Sequence, residues 1–456
     1  MIKERTYYPS PTRKDQKLEL PVNAAAVAAL SAYYAEPAWL RESRREAWEL
    51  YAELPWPDRQ EEPWRRVPLH EFPLAARRLV LSPPQLSTLE ELPPCWLLPD
   101  LPRAHCTGLL IHNNGGVCYA DLEEEARDAG VVLQDLHRAL ESHEELIRRH
   151  WLRGAITRPD FNKFTALNAA LWHGGTFVYV PAGVRVERPL RTLTGYDAAG
   201  GTGLHHTLIV AEQGAKVTVI QERYSLESEP ELNSEIVEIY AAAGAWIRYI
   251  SLQNWGKQRY TVSVQNAQLE RDAHLVWGSG SLGGAATKEF LRTELRAPRA
   301  HAVMRGFTFA TGQQRLDQST YQHQLAPDTY SDLLFRNVLR DQSRTVFYGM
   351  IRMEQAAQNS AGYQANNNLL LDQARAHSIP GLEIMANEVS CSHGATVSRL
   401  DPEQLFYLLS RAIPREEAEY LLVQGFLNPI IEHVPLSAIR AYLAEEIARR
   451  FWQAAI

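Results

Sequence analysis

Apolar residues recur at helical spacing early in the chain, alternate with polar ones in the middle, and return to helical spacing at the end. Residues 23–53 read as helix, with Asn23 as the cap and Pro37 dividing the segment in two. From Leu54 to Pro73 the chain is dense in Pro, Trp and Arg, the composition of an ordered linker. Short strands are expected over 74–134, including 106–120, where Asn114-Gly115 suits a hairpin turn. Asp135 opens a further helix whose Leu136, Leu140, His143 and Ile147 share a face.

From about Phe161 to Leu400 short two-residue alternations dominate, and a repeat is visible. VAEQGAKVTVI, AAAGAWIRYI, LERDAHLVW and LRAPRAHAVM each place a small turn before an alternating run. The alanines after the turns are Ala215, Ala245, Ala273 and Ala300, at steps of 30, 28 and 27 residues. Such a step points to a stacked solenoid, in which each unit needs its neighbours to cover an apolar face. The strand spacing alone also suits a β-sandwich.

Beyond Leu400, Asp401 is a cap, Pro402 takes the first helical position, and Glu403 favours the positive helix end. Pro414 and Pro435 open two more helices. In the last of them Leu436, Ile439, Leu443, Ile447 and Phe451 form a stripe expected to pack on the other two helices. Tyr442 and Trp452 widen it enough to leave room for a partner.

At 456 residues the chain exceeds the size of one core, so two or three units are expected. The net charge of −7, spread along the sequence, argues against nucleic acid as the main partner. No apolar run approaches the ~18 residues that span a bilayer. The start, MIKERTYYPSPTRKDQ, has no signal-peptide core, so a cytoplasmic location without membrane contact is expected.

Cys95, Cys106, Cys118 and Cys391 form no Cys-x-x-Cys pair, which disfavours an all-cysteine cluster or a zinc knuckle within the chain. The first three read as small buried thiols. Cys391 and His393 differ: two apart on an extended run, they share a face, and a thiol beside an imidazole is a donor pair suited to iron or zinc. Ser392 and His393 are adjacent and so point oppositely, which excludes a dyad.

No P-loop and no Gly-x-Ser-x-Gly elbow occurs. Gly278, Gly280, Gly283 and Gly284 read as turn glycines between repeats. His205, His206 and His301 read as strand histidines satisfied by hydrogen bonds. His323 and Asp328 fall in a loop-like stretch and receive no role.

The segments PGLEI, VSCSHGAT and LFYLLSRAI within residues 364–427 stand in an order and spacing that closely resemble the SufB/SufD family of iron–sulfur cluster assembly scaffolds. TRPDFNKFTALNAALWHGGTFVYVPAGVRVERPL at 157–190 and LLFRNVLRDQSRTVFYGMIRMEQAAQ at 333–358 extend the resemblance. EEPWRRVPL at 61–69 is similar to the Glu-x-Trp-Arg segment of SufD-type members.

The resemblance implies a mainly β chain. An N-terminal α/β domain (1–155) precedes a right-handed parallel β-helix core (156–400) and a C-terminal helical domain (401–456). It implies a non-enzymatic SufD-like subunit that pairs with a SufB-like homologue and docks a SufC-like ABC ATPase through its tail. Leu405, Phe406, Tyr407, Arg411, Leu421 and Phe426 are the candidate contacts there. His393 is then the candidate ligand for transient iron or an iron–sulfur cluster at the partner seam, with Cys391 a weaker one. No stably bound cofactor is expected in the isolated chain, which could form a homodimer.

Where SufB-type members carry a cysteine before an Ala-His pair, this chain has Arg375, a cation that cannot ligate iron. That departure favours the SufD type over a SufB-like, cluster-carrying scaffold. His377 matches the family's histidine but reads as an exposed turn residue. Arg411 matches a Ser-Arg-Gly segment in which Ala412 replaces glycine, and the exchange is expected to do little beyond fixing a helix end. Glu383 is taken as structural. A β-helix polysaccharide enzyme is the third reading, disfavoured because paired carboxylates are scarce between 200 and 390.

Overall fold

Most of the chain is coiled so that successive strands alternate between two sheets. The computed structural model describes residues 18–74, 78–81, 105–197, 201–225, 229–434 and 437–453. One sheet has nine strands and the other ten, and every strand from Gly174 to Arg399 runs parallel to its neighbours one turn away. Eight two-strand turns result, a parallel β-solenoid rather than a sandwich.

The repeat read from the sequence is the physical period. Val217 pairs with Ile247, Ile247 with Leu275 and Leu275 with Ala302, the same steps of 30, 28 and 27 residues. Ala215, Ala245, Ala273 and Ala300 are fully buried where the chain turns into each strand. The residues before them, Gly214, Gly244, Asp272 and Arg299, hold φ of 69°, 68°, 57° and 62°. Each corner therefore needs a left-handed residue followed by one small enough to stack under its copy. Apolar side chains such as Val219, Tyr249, Trp277, Ile239 and Leu295 fill the axis.

The solenoid starts against three shorter strands, one parallel to the first turn and two antiparallel to their neighbours. Gly108–Asn113 and Gly116–Leu122 form a hairpin through Asn114 and Gly115, both at positive φ, and extend the ten-stranded sheet. Val132–Asp135 pairs antiparallel with Gly174–Val180 and extends the other. Helices Ala24–Tyr33 and Ala38–Glu53 flank Pro37, and Asn23 accepts from Ala26 N at 3.0 Å. Asp135 caps helix Leu136–His150. Helix Lys163–Leu171 is buried along its whole length, started by a capping box between Asn162 and Thr165.

The linker over 54–73 is ordered in two short 3-10 turns, Glu62–Trp64 and Leu69–Glu71. Trp64 stacks on Phe164 at 5.6 Å and meets Phe290 at 5.4 Å. Nearby lies Lys288, fully buried and paired with Asp317, its ammonium 6.0 Å from the Trp64 ring.

Two sequence readings need correction. Gly278 and Gly280 are not in a turn but inside the strand His274–Ser281. A Cβ at either would come within 2.7 Å of Ile250 or Leu252, so their lack of side chain hollows the outer face of the sheet. His323 lies inside strand Arg315–Gln324, not in a loop. Cys95, Pro435 and Leu436 fall outside the described residues.

The tail consists of helices Pro402–Ser410, Arg415–Ile431 and Ser437–Gln453. Ile439, Leu443, Ile447 and Phe451 are buried as expected, but they share a core with Ile250, Leu252, Leu282, Phe307 and Phe309 of the ten-stranded sheet as well as with the neighbouring helix. Arg450 donates to Leu282 O at 2.6 Å and Arg336 to Phe426 O at 2.7 Å, fastening the tail to the solenoid wall. No described helix is long and apolar enough to cross a membrane.

Candidate metal and partner site

The last turn consists of strands Arg375–Ile384 and Val389–Arg399, and among the described residues each has a neighbour on one side only. The opposite side of each presents unpaired backbone donors and acceptors and, toward the axis, side chains with nothing stacked above them. Pairing places Cys391, His393, Ala395 and Val397 over Gly362, Gln364, Asn366 and Asn368. Those four underlying residues are buried along the axis. Alternation therefore aims Cys391 and His393 inward, at the mouth of the coil, and sends Ser392 to the outer face.

At that mouth His393 is exposed. Cys391 is half-buried beside Val389 against Ile351 and Met353, and burial pushes its thiol up to about 11. Burial thus disfavours the thiolate of Cys391, while the ring of His393 stays open to solvent. Among the described residues no group of three or more His, Cys, Asp or Glu is arranged to hold a metal ion.

The floor beneath is polar. Gln364 Nε2 donates to Gly349 O and Gly381 O, each at 3.3 Å. Asn368 Nδ2 donates to Asn366 Oδ1 at 2.7 Å and Ser378 Oγ at 3.1 Å, and Asn337 donates to Asn368 at 2.9 Å. Gln364 Oε1 and Asn366 Nδ2 are buried without a partner. The rim is apolar: Leu382, Ile384, Met385 and Val397 are 36%, 41%, 48% and 50% exposed. An apolar rim around a polar floor, on an unpaired sheet end, is a surface built to be covered.

Arg375 and His377 begin the same turn, both exposed and on its outer face. Glu383 meets Arg352 at 3.3 Å. That pair ends a ladder along the outer wall in which Arg352 holds Glu354, Glu354 holds His323 and His323 holds Arg292.

The other sequence candidates scatter. His205 lies 3.2 Å from Thr176 Oγ1, His206 pairs with Glu238 at 3.1 Å, and His301 stacks on Tyr330 at 4.3 Å. In the tail, Phe406 and Tyr407 are 72% and 58% exposed, Arg411 lies over the Tyr407 ring at 5.2 Å, and Leu421 is 40% exposed. Leu405 is buried, and Phe426 is half-buried beneath Arg336, where it packs on the core that the tail shares with the solenoid. Ala412 sits at φ 61°, directly after the cap of the first tail helix. That position favours glycine, so the exchange leaves a strained backbone and does more than firm a helix end.

Sequence reasoning missed the charged groups inside and along the coil: Arg223 with Glu235 at 2.9 Å, Glu289 with Gln318 at 3.0 Å, and Glu238. It also missed Gln364. Their signal was present as Gln, Asn, Ser and Thr at every second strand position, but which alternate set faces the axis follows only from the register.

Two family models together match nearly the whole of the described chain. The SufBD protein N-terminal region matches residues 31–192, and the core domain of the SufBD proteins of the SUF iron–sulfur cluster assembly system matches residues 195–426. The iron–sulfur cluster assembly protein SufB of Bacillus subtilis is 29% identical over 344 residues, covering 74% of this chain and 73% of the relative. An iron–sulfur cluster assembly SufBD family protein of Staphylococcus saprophyticus is 28% identical over 341 residues, at the same coverage of both chains. One from Staphylococcus epidermidis is likewise 28% identical over 341 residues.

Proposed function

Because this chain belongs to the SufBD family of iron–sulfur cluster assembly proteins, we propose that it is the SufD-type, non-catalytic subunit of a cytosolic assembly scaffold. Its open end abuts a SufB-type homologue, and its tail docks a SufC-type ATPase. The observation that carries this reading is the uncapped last turn, with an inward histidine inside an apolar rim. A homologous solenoid end offers the matching strands and rim. Iron or the nascent cluster is the cargo at that seam, and His393 supplies one neutral imidazole toward it. The remaining ligands come from the partner.

Arg375 supports the SufD type, since a cation there neither ligates iron nor carries sulfur. The name of the Bacillus subtilis relative favours the second reading, a SufB-type scaffold that carries the cluster itself. Anaerobic reconstitution of the isolated chain separates them, because only the second gives a stable brown holoprotein.

The ATPase docks on the first two tail helices through Phe406, Tyr407, Arg411 and Leu421. Nucleotide-driven movement of that surface passes to the solenoid through the clamped third helix. Point substitutions test this better than truncation, since removing the tail would uncover Phe307, Phe309 and Leu252. The chain is co-expressed with a SufB-type homologue and a SufC-type ATPase. Phe406→Asp with Tyr407→Asp should lose the ATPase and keep the homologue, and Ile384→Asp with Val397→Asp the reverse. Retention of both partners by both variants would refute the assignment.

A further inference from the structure

Gln364 is the residue directly beneath His393. The two are paired in register on adjacent parallel strands and face the axis together. Gln364 is only 3% exposed. Its amide NH2 is committed to the carbonyls of Gly349 and Gly381 on the opposite sheet, one from the turn below and one from the last turn. Those two acceptors fix which end of the amide is nitrogen, because a flipped amide would set oxygen against two oxygens. The seat also requires glycine, since a Cβ at position 349 would lie 2.5 Å from Gln364 Oε1. The carbonyl oxygen that remains is buried and accepts nothing. A buried acceptor left empty costs on the order of 1–3 kcal/mol.

His393 has the complementary need. An imidazole that ligates through one nitrogen carries its proton on the other, and that N–H needs an acceptor to hold the ring and its tautomer. In the isolated chain the ring is exposed and makes no hydrogen bond to a described residue. Of the polar side chains below it, Asn366 Oδ1 already accepts from Asn368 and Ser378, whereas Gln364 Oε1 is free.

We propose that Gln364 is the positioning residue of this site: its amide oxygen accepts the N–H of His393 and leaves the other ring nitrogen facing the seam for a divalent metal ion. This rests on the reading of His393 as a ligand. No bond to the metal forms at Gln364, and its contribution is orientation.

Cobalt(II) is the probe, titrated at fixed pH into the complex of the full chain with its SufB-type homologue and followed by its visible absorption. His393→Ala should abolish the site. Gln364→Met keeps the side-chain length and removes the oxygen, and should weaken cobalt binding by about 10–100-fold. Nitrogen-15 spectra of histidine-labelled chain loaded with zinc(II), with His393 assigned by the His393→Ala difference, should show one tautomer in the wild type and a mixture in Gln364→Met. If Gln364→Met binds cobalt within twofold of wild type and keeps a single tautomer, a water fills the acceptor's role and the inference falls. If His393→Ala itself still binds cobalt, the reading beneath it falls first. A Gln364→Met loss with the tautomer unchanged is a packing defect and also overturns the proposal.

Discussion

Replacing Glu238 by Gln should release the Trp151–Thr157 loop from the solenoid without unfolding the coil. This carboxylate is almost completely buried and accepts from Leu152 N at 2.9 Å, Arg153 N at 3.0 Å, Gly154 N at 3.3 Å, Thr157 Oγ1 at 2.8 Å and Tyr240 OH at 3.0 Å, with His206 Nε2 at 3.1 Å. Burial alone would raise its pKa, but the hydrogen bonds and charges around it, led by His206, outweigh that and hold it below the ordinary value of 4.5. A glutamine keeps one oxygen for the Oε1 cluster and turns an NH2 toward Leu152 N–H, donor against donor. Losing charge assistance on several bonds and orphaning one buried N–H costs about 3–4 kcal/mol. At 1.36 kcal/mol per decade that is on the order of 10²–10³ in local opening.

Hydrogen exchange of peptides spanning 152–157 reads this directly, with peptides from Val262–Leu269 as the internal reference. The sign with pH follows from the depressed pKa. The wild-type advantage is full above 4.5 and shrinks as the pH falls below it toward the folded value, because the native carboxylate is then protonated too. Exchange within threefold of wild type at pH 7, or a ratio unchanged on acidification, would refute the argument.

Three further outcomes are expected. Lys288 is pushed down and Asp317 up by burial, so Lys288→Met alone should cost about 3–5 kcal/mol by stranding a carboxylate, while Lys288→Met with Asp317→Leu should be near neutral. Urea midpoints of the two variants decide it, and equal losses would contradict it. Ala412→Gly relieves a left-handed residue and should stabilise the tail by about 0.5–1 kcal/mol, seen as slower proteolysis between the first two tail helices; no change would mean the turn is unstrained. Cys391, with its thiol near 11, should alkylate slowly at pH 7.5 and faster by close to tenfold per pH unit up to about 10, and a pH-independent rate would show the thiol is ionised already.

How much could be read in advance depended on whether a feature was local. Asn23, Asp135 and Asp401 cap helices because a side-chain oxygen two or three residues from an N–H is all that a cap needs. Asn114-Gly115 and the alanines at 215, 245, 273 and 300 were legible for the same reason: a positive φ or a tight corner selects its own residue type. That Cys391 and His393 share a face followed from simple alternation, and the register then showed that face to be the axial one.

What failed depended on distant partners. Gly278 and Gly280 look like turn residues until Ile250 and Leu252 from the previous turn are seen beside them. His323 looked like loop because its strand carries few aliphatics, its outer face being an ion ladder to Arg292 and Glu354. The last helix's stripe announced a contact but not that a sheet would share it.

The two ends of the coil are not equivalent: the short strands Val132–Asp135 and Gly116–Leu122, each antiparallel to its neighbour, border the start, and among the described residues the finish is the bare parallel edge. Two such bodies that meet finish to finish cover on each other the edge that would otherwise invite stray strands, so an aggregation hazard becomes a place for pairing.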